Sequence, residues 1–288
     1  MQSTKHSEIP QIKEKKMRKF NLTNAKGKKL DLNSSASFFY NPEGLGFSYN
    51  NEYKRAENQF IEIDSILEQK NIRGVLKFNN YGDYTDFVKF VQAKPLVLEY
   101  IPEDGNVYKL SCKVKDLDKT EKGEGQWLHC SVSFEGLGQW YRYIYLETDP
   151  DAKGKTYDYK YPFKYSSASQ NTVVFESESS LSSPVTITFL GAVKNPSWSH
   201  YINGELVAEG RVECNIEEGH RLKVTSVMPM AIVEIDSAGN EVRDLYGASD
   251  FNTERFLNIG LGSNVITCRS ESPKTYAIVE GFEYYESI

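Results

Sequence analysis

At 288 residues the chain is long enough for two domains that each bury a core. Its 34 basic and 40 acidic residues give a formal net charge of -6, which argues against the clustered basic face that nucleic acid selects. No run approaches the roughly 20 apolar residues of a bilayer-spanning helix, so membrane insertion is not expected. With 19 Tyr and 15 Phe and little helical periodicity, the composition favours a mainly β protein over a helical bundle.

Residues 1–16 are polar and charged, carry Pro10 and show no apolar period, which is the composition of a disordered extension; Met17 offers an alternative start. The same stretch has no continuous apolar core of the sort a secretion signal needs. Structure is expected from Lys19 onward. Residues 20–22 and 30–32 bracket a hairpin, and 36–40 read as a strand ended by a turn at 41–44 with Pro42 in its second position. Residues 46–66 read as long, very polar strands with Phe47, Tyr49 and Tyr53 on one alternating face, continuing through Phe60. Two readings stay open for them: a solvated hairpin, or an arm that pairs with a neighbouring subunit, because exposed strand edges are templates for pairing.

A short strand at 74–78 precedes the one convincing helix, at 83–93, which Gly82-Asp83 can cap. Tyr84, Phe87, Val88 and Val91 recur there at the spacing that places them on one side, and Lys94-Pro95 stops it. Beyond it, Leu96, Leu98 and Tyr100 alternate, then Tyr108, Leu110, Cys112 and Val114, then Leu128, Cys130, Val132 and Phe134. Three antiparallel strands under one covering helix form a core of their own. Residues 140–147 read as a connecting strand, and the Pro-, Gly- and charge-rich loop at 149–155 as the domain boundary. An N-terminal domain at 17–147 and a C-terminal domain at 148–288 result.

After a tyrosine-rich stretch at 157–165 and a strand at 172–175, residues 184–264 alternate strands and turns. Val185, Ile187 and Phe189 mark a strand ended by Gly191, a turn follows at Asn195-Pro196, and Asn203-Gly204 is the pair best suited to a tight type I′ hairpin. Residues 214–216 and 222–224 are read as a second hairpin around Glu218-Gly219, and 232–235 with 241–242 as a third; 276–285 supplies a closing strand.

Catalytic chemistry is hard to find. His129-Cys130 are adjacent in a strand and point to opposite faces, no C-x-x-C or H-x-x-x-H occurs, and four histidines share no neighbourhood, so no metal and no cofactor is expected. No G-x-S-x-G is present. Gly44-Leu45-Gly46, Gly136-Leu137-Gly138 and Gly260-Leu261-Gly262 lack the following helix of a phosphate loop. Cys112, Cys130, Cys214 and Cys268 lie far apart and are read as buried free thiols, consistent with assembly in a reducing cytoplasm. Trp198, His200 and Tyr201 lie at a turn, where exposed aromatic rings would stack on a sugar; the alternative is that Trp198 plugs the end of a sandwich.

The order of Ser183-Pro184, the strand to Gly191, Asn195-Pro196-Ser197-Trp198, Asn203-Gly204, Ile216 with Gly219, Asp250-Phe251-Asn252-Thr253 and Gly262-Ser263-Asn264-Val265-Ile266 resembles the C-terminal half of siphophage distal tail proteins. The helix from Tyr84 followed by Pro95-Leu96-Val97-Leu98, and Gly138-Gln139-Trp140-Tyr141, are similar to that family's ring domain. The resemblance covers most of the chain from about Met17. It implies a non-enzymatic structural protein of a long non-contractile phage tail, located in the virion and assembled in the host bacterial cytoplasm. It further implies a homo-hexameric ring of N-terminal β-sandwich-like domains and C-terminal sandwiches similar to galectins and carbohydrate-binding modules. The implied partners are the tail tube protein, the tail-associated tip protein and receptor-binding proteins, with DNA passing through a lumen that is not basic. Phe47, Tyr49, Tyr53 and Phe60 are the expected ring contact, so that deleting 50–58 should give monomers. The competing function is host carbohydrate binding by the C-terminal sandwich through Trp198 and Tyr201.

Overall fold

The structure is a computed structural model that describes residues 18–122, 125–148 and 171–288. The expectations for 1–16, for the boundary loop at 149–155 and for the tyrosine-rich 157–165 lie outside the described residues. The chain divides between Gly138 and Gln139 into two compact units.

The first unit contains β1 (Lys19–Thr23), β2 (Lys29–Asp31), β3 (Ser37–Glu43), β4 (Tyr49–Ala56), β5 (Gln59–Leu67), β6 (Asn71–Phe78), α1 (Tyr81–Val91), β7 (Leu96–Ile101), β8 (Tyr108–Leu117) and β9 (Leu128–Gly136). All of its strands except β4 and β5 join one antiparallel sheet in the order β3-β6-β9-β8-β7-β1-β2. The two ends of that sheet meet. Asn33 bridges Phe38, the Leu32 amide donates to the Phe20 carbonyl at 2.9 Å, and the Phe39 amide to the Leu32 carbonyl at 2.7 Å. Where the sequence suggested a sandwich-like domain, a single twisted sheet rolls toward a barrel, because right-handed twist accumulated over many strands brings the edges together. Phe20, Phe39 and Phe134 fill its interior, with ring centroids 5.1 and 5.8 Å apart.

Helix α1 covers one opening through Phe87 and Val91, the former 5.4 Å from Phe78. Its cap is Asn80, not Gly82-Asp83: the Asn80 carboxamide accepts the Asp83 amide at 2.9 Å, which makes Asp83 the third helical residue rather than the cap. The expected turn at 41–44 is also different. Strand β3 runs on to Glu43 with a register skip between Tyr40 and Glu43, and Asn41 sits at φ +49°. Pro42 has no amide to give a ladder, and an irregularity in an edge strand accommodates it.

The second unit contains β10 (Trp140–Glu147), β11 (Thr172–Ser177), β12 (Ser183–Leu190), β13 (Val193–Lys194), β14 (Ser197–Ile202), β15 (Glu205–Arg211), β16 (Asn215–Ile216), β17 (Arg221–Thr225), β18 (Ala231–Ile235), β19 (Glu241–Asp244), β20 (Asn258–Ile259), β21 (Gly262–Arg269) and β22 (Tyr276–Tyr285). One sheet runs β19-β18-β17-β12-β22-β10 and the other β11-β21-β14-β15. Their facing sides share one apolar core, in which Ile187, Phe189 and Val279 meet Phe175, Trp198 and Ile266. Residues 140–147, read from sequence as part of the first half, pair along their length with β22, so the division falls after Gly138. Asn203 and Gly204 have φ of +51° and +87°, as a type I′ turn requires. The hairpin expected around Glu218-Gly219 does not form: β16 pairs with β13, while β17 pairs with β12 and β18.

Candidate functional site

Strands β4 and β5 leave the first unit as a ribbon that, among the described residues, pairs only with itself. Every residue is exposed except the half-buried Leu67. An isolated two-stranded ribbon is marginal in water and buries nothing on its own, so its sequence is selected for something outside its own fold. The root is firmly held. The Glu68 amide donates to the Ser48 carbonyl at 2.9 Å, the Ser48 hydroxyl to the Glu68 carboxylate at 2.6 Å, and the Gln69 carboxamide to the Gly136 carbonyl at 2.7 Å. Buried Lys70 reaches the Gly46 carbonyl with its ammonium group. Gly44, at φ +83°, passes so near the Asn71 carbonyl that a Cβ would lie 2.2 Å from its oxygen; no other residue fits there.

Pairing runs from Tyr49 with Leu67 to Ala56 with Gln59, with a register shift after Glu52 that leaves Ile63 as the extra residue of a bulge. The shift keeps Tyr49, Tyr53 and Phe60 on one face. All three are exposed, as is Phe47 just before the ribbon, and Phe60 most of all at 73%. The structure therefore gathers the four aromatic residues singled out from sequence on a single projection. Ile61, Ile63 and Ile66, each more than half exposed, were not singled out. Alternating isoleucine among acids reads as a half-buried strand, and periodicity does not reveal that nothing among the described residues buries it.

The aromatic residues of the second unit separate. Strand alternation turns Trp198 and His200 inward, and Ser199 and Tyr201 outward. Of the two readings open for Trp198, an exposed stacking ring or a plug in the sandwich, the second holds, for it is only 3% exposed: its indole N–H donates to the Arg255 carbonyl at 2.8 Å and its ring lies over Gly210, where a Cβ would be 2.4 Å away. The side chain belongs to the core, and of Trp198, His200 and Tyr201 only the last offers a ring to solvent.

His200 is fully buried. The Asn264 amide group donates to the Gly260 and Gly262 carbonyls at 2.8 Å each, so its oxygen is the atom 3.0 Å from His200 Nε2, and that nitrogen carries the proton. Nδ1 has no partner among the described residues. Burial pushes the imidazole pKa down, only partly offset by the Asn264 contact. A depressed histidine stabilises the fold above its unfolded value of about 6.5 and loses that contribution as pH falls toward the folded value. Stability measured by urea unfolding is therefore expected to fall between pH 7.5 and 5, and His200→Gln should flatten that slope; an unchanged slope would show that His200 is not the group responsible.

Burial pushes the thiols of Cys112 and Cys268 up to about 12, which leaves them protonated and unreactive. All four cysteines are free. Among the described residues no group of His, Cys, Asp and Glu is arranged to hold a metal, and no helix is long and apolar enough to cross a membrane.

Residues 19–137 match the family model described as the N-terminal domain of distal tail protein. Among solved structures, the SPP1 Dit protein, described as a paradigm of hub adsorption apparatus in phages infecting Gram-positive hosts, is similar at 10% identity and a TM-score of 0.59, over 92% of this chain and 99% of that one. The phage p2 baseplate in its activated conformation with Ca is similar at 17% identity and a TM-score of 0.54, over 95% of this chain and 100% of that one. Its counterpart with Sr has the same identity and coverage and a TM-score of 0.53. No curated protein matches. At such identities the likeness to these structures is one of fold, and it extends over nearly the whole of each chain.

Proposed function

The chain belongs through residues 19–137 to the distal tail protein family, and from that premise we propose that it is the hexameric hub ring of a long non-contractile phage tail. In this reading the first unit forms the ring wall. It stacks on the tail tube protein on one side and receives the tail-associated tip protein on the other, with DNA passing through without specific binding. The second unit, in the manner of galectins and carbohydrate-binding modules, projects outward to hold receptor-binding proteins. The role is structural rather than enzymatic, in a virion whose parts assemble in the host cytoplasm.

The observation that carries the ring is the β4–β5 arm. A rotationally symmetric ring needs one surface on each subunit to meet a different surface on the next. The arm is a surface whose strands, among the described residues, pair only with each other; it is held at a fixed root, and the exposed rings on one face give it an apolar stripe to bury. Static light scattering on the purified chain, with negative-stain images of the same fraction, tests the proposal. A mass of six chains, or of two such rings back to back, with a central hole is the expected result. A monomer that also fails to form rings when mixed with tail tubes would overturn it.

A further inference from the structure

The outer face of the β11-β21-β14-β15 sheet carries a polar groove of about 440 Å³. Ser197 on β14 pairs with Arg211 on one side and with Arg269 on the other, so the three residues form a row across adjacent strands. At about 4.8 Å per strand, the two arginines start roughly 10 Å apart with a serine between them. Both line the groove, and neither guanidinium has a hydrogen bond or an ion pair among the described residues. Glu271 lies near enough for a longer-range attraction to Arg211, but its carboxylate is engaged by Asn195 and Lys194.

In two places on the first unit, by contrast, cations on nearby strands converge on a carboxylate: Lys29 and Lys109 reach Glu99, and Lys113 and Lys115 reach Glu135. On the groove floor the position between the two cations is occupied by Ser197, whose small hydroxyl leaves room for an anion that the protein does not supply. The neighbouring row is made of hydrogen-bonding groups: Ser199 pairs with Glu209 and with Thr267, and Thr267 meets Thr172 hydroxyl to hydroxyl at 3.1 Å. The half-exposed ring of Tyr201 follows one row further on. Glu209 and Asp250 also line the groove; they repel an anion from its rim, confine it to the arginine row and accept hydroxyl protons.

We propose that this groove binds an anionic polyol, a polyhydroxylated chain bearing phosphate or carboxylate, with the anion held over Ser197 between Arg211 and Arg269. The guanidiniums give charge-assisted, two-pronged hydrogen bonds to either kind of oxyanion. The hydroxyl row and the two rim carboxylates read the polyol, and Tyr201 covers one end. The site lies wholly within the second unit and does not depend on ring assembly, so the mass of the same preparation separates its failure from that of the hub.

Isothermal titration calorimetry on the full chain tests it, with poly(glycerol phosphate), polygalacturonate and neutral dextran as probes at low salt. The expected result is binding of at least one anionic probe and none of dextran. That binding should weaken at least tenfold in Arg211→Gln/Arg269→Gln and in Ser197→Glu, which places the protein's own carboxylate where the ligand's belongs. Each variant changes only surface side chains and should keep the parent melting temperature. Binding of the phosphate probe alone identifies a phosphodiester ligand, and binding of the carboxylate probe alone a uronate. Dextran bound as well as the anionic probes, anionic binding unchanged in both variants, or no anionic binding by the parent chain would each overturn the proposal.

Discussion

On the proposed hub reading, replacing residues 50–66 by an Asn-Gly turn between Tyr49 and Leu67 is expected to convert the ring into monomers whose circular dichroism still shows the folded β-structure, with a melting temperature lowered only by the lost association. Tyr49 and Leu67 are paired across the ribbon, so a two-residue turn closes the gap without moving the root. The excised strands contribute nothing to the buried interior, and their loss removes no cavity-filling side chain. Excision of 50–58 alone is the poorer experiment, because it strips β5 of its one partner and leaves an unpaired edge. Light scattering would show the mass drop from six chains to one. Hexamers that persist without the arm would place the subunit contact elsewhere.

Trp198→Ala is expected to cost about 3–5 kcal/mol of stability, the range for removing a large aromatic side chain from a packed interior. Two features place it toward the upper end. The indole fills space that Gly210 exists to leave open, so no neighbour can easily collapse into the void, and the buried Arg255 carbonyl loses its donor. Tyr201→Ala, two rows further along the outer side of the same sheet, should stay within about 0.5 kcal/mol. Urea unfolding of both variants makes the comparison, and a cost below about 1 kcal/mol for Trp198→Ala would contradict the packing described. The result also bears on binding assays. Sugar binding lost in Trp198→Ala would report damage to the sheet beneath the groove, whereas the arginine row and Tyr201 act on the groove directly.

What was legible in the sequence is what local chemistry decides. The 3.6-residue period of Tyr84, Phe87 and Val91 marks α1, the two-residue period of Leu128, Cys130, Val132 and Phe134 marks β9, and Asn203-Gly204 has few conformations other than the turn it makes. What was not legible is pairing. The strands flanking Glu218-Gly219 look like a hairpin because a turn lies between them, yet the core draws β17 between β12 and β18 and leaves β16 to β13. For Trp198 the exposed ring and the buried plug both stayed open, because its neighbours are Ser197, Ser199 and the polar His200. The inward direction became visible only when His200 proved to have Asn264 waiting for it in the interior. The aromatic residues of the arm were found because they alternate. The arginine row was missed because Arg211, Ser197 and Arg269 are brought together by strand order alone.

The polar residues of the ribbon have a consequence for the life of the subunit before assembly. Among the described residues neither outer edge of the β4–β5 ribbon pairs with another strand, and such edges recruit further strands from solution into fibres. Glu52, Lys54, Arg55, Glu62 and Asp64 are spread along both strands, and the bulge at Ile63 bends the ribbon away from the flat geometry that stacking needs. These are gatekeepers: they repel identical copies laid edge to edge while leaving the exposed rings of Tyr53 and Phe60 accessible to a partner of different shape. If the chain forms the proposed ring, these features would let subunits stay apart until enough neighbours are present to close it.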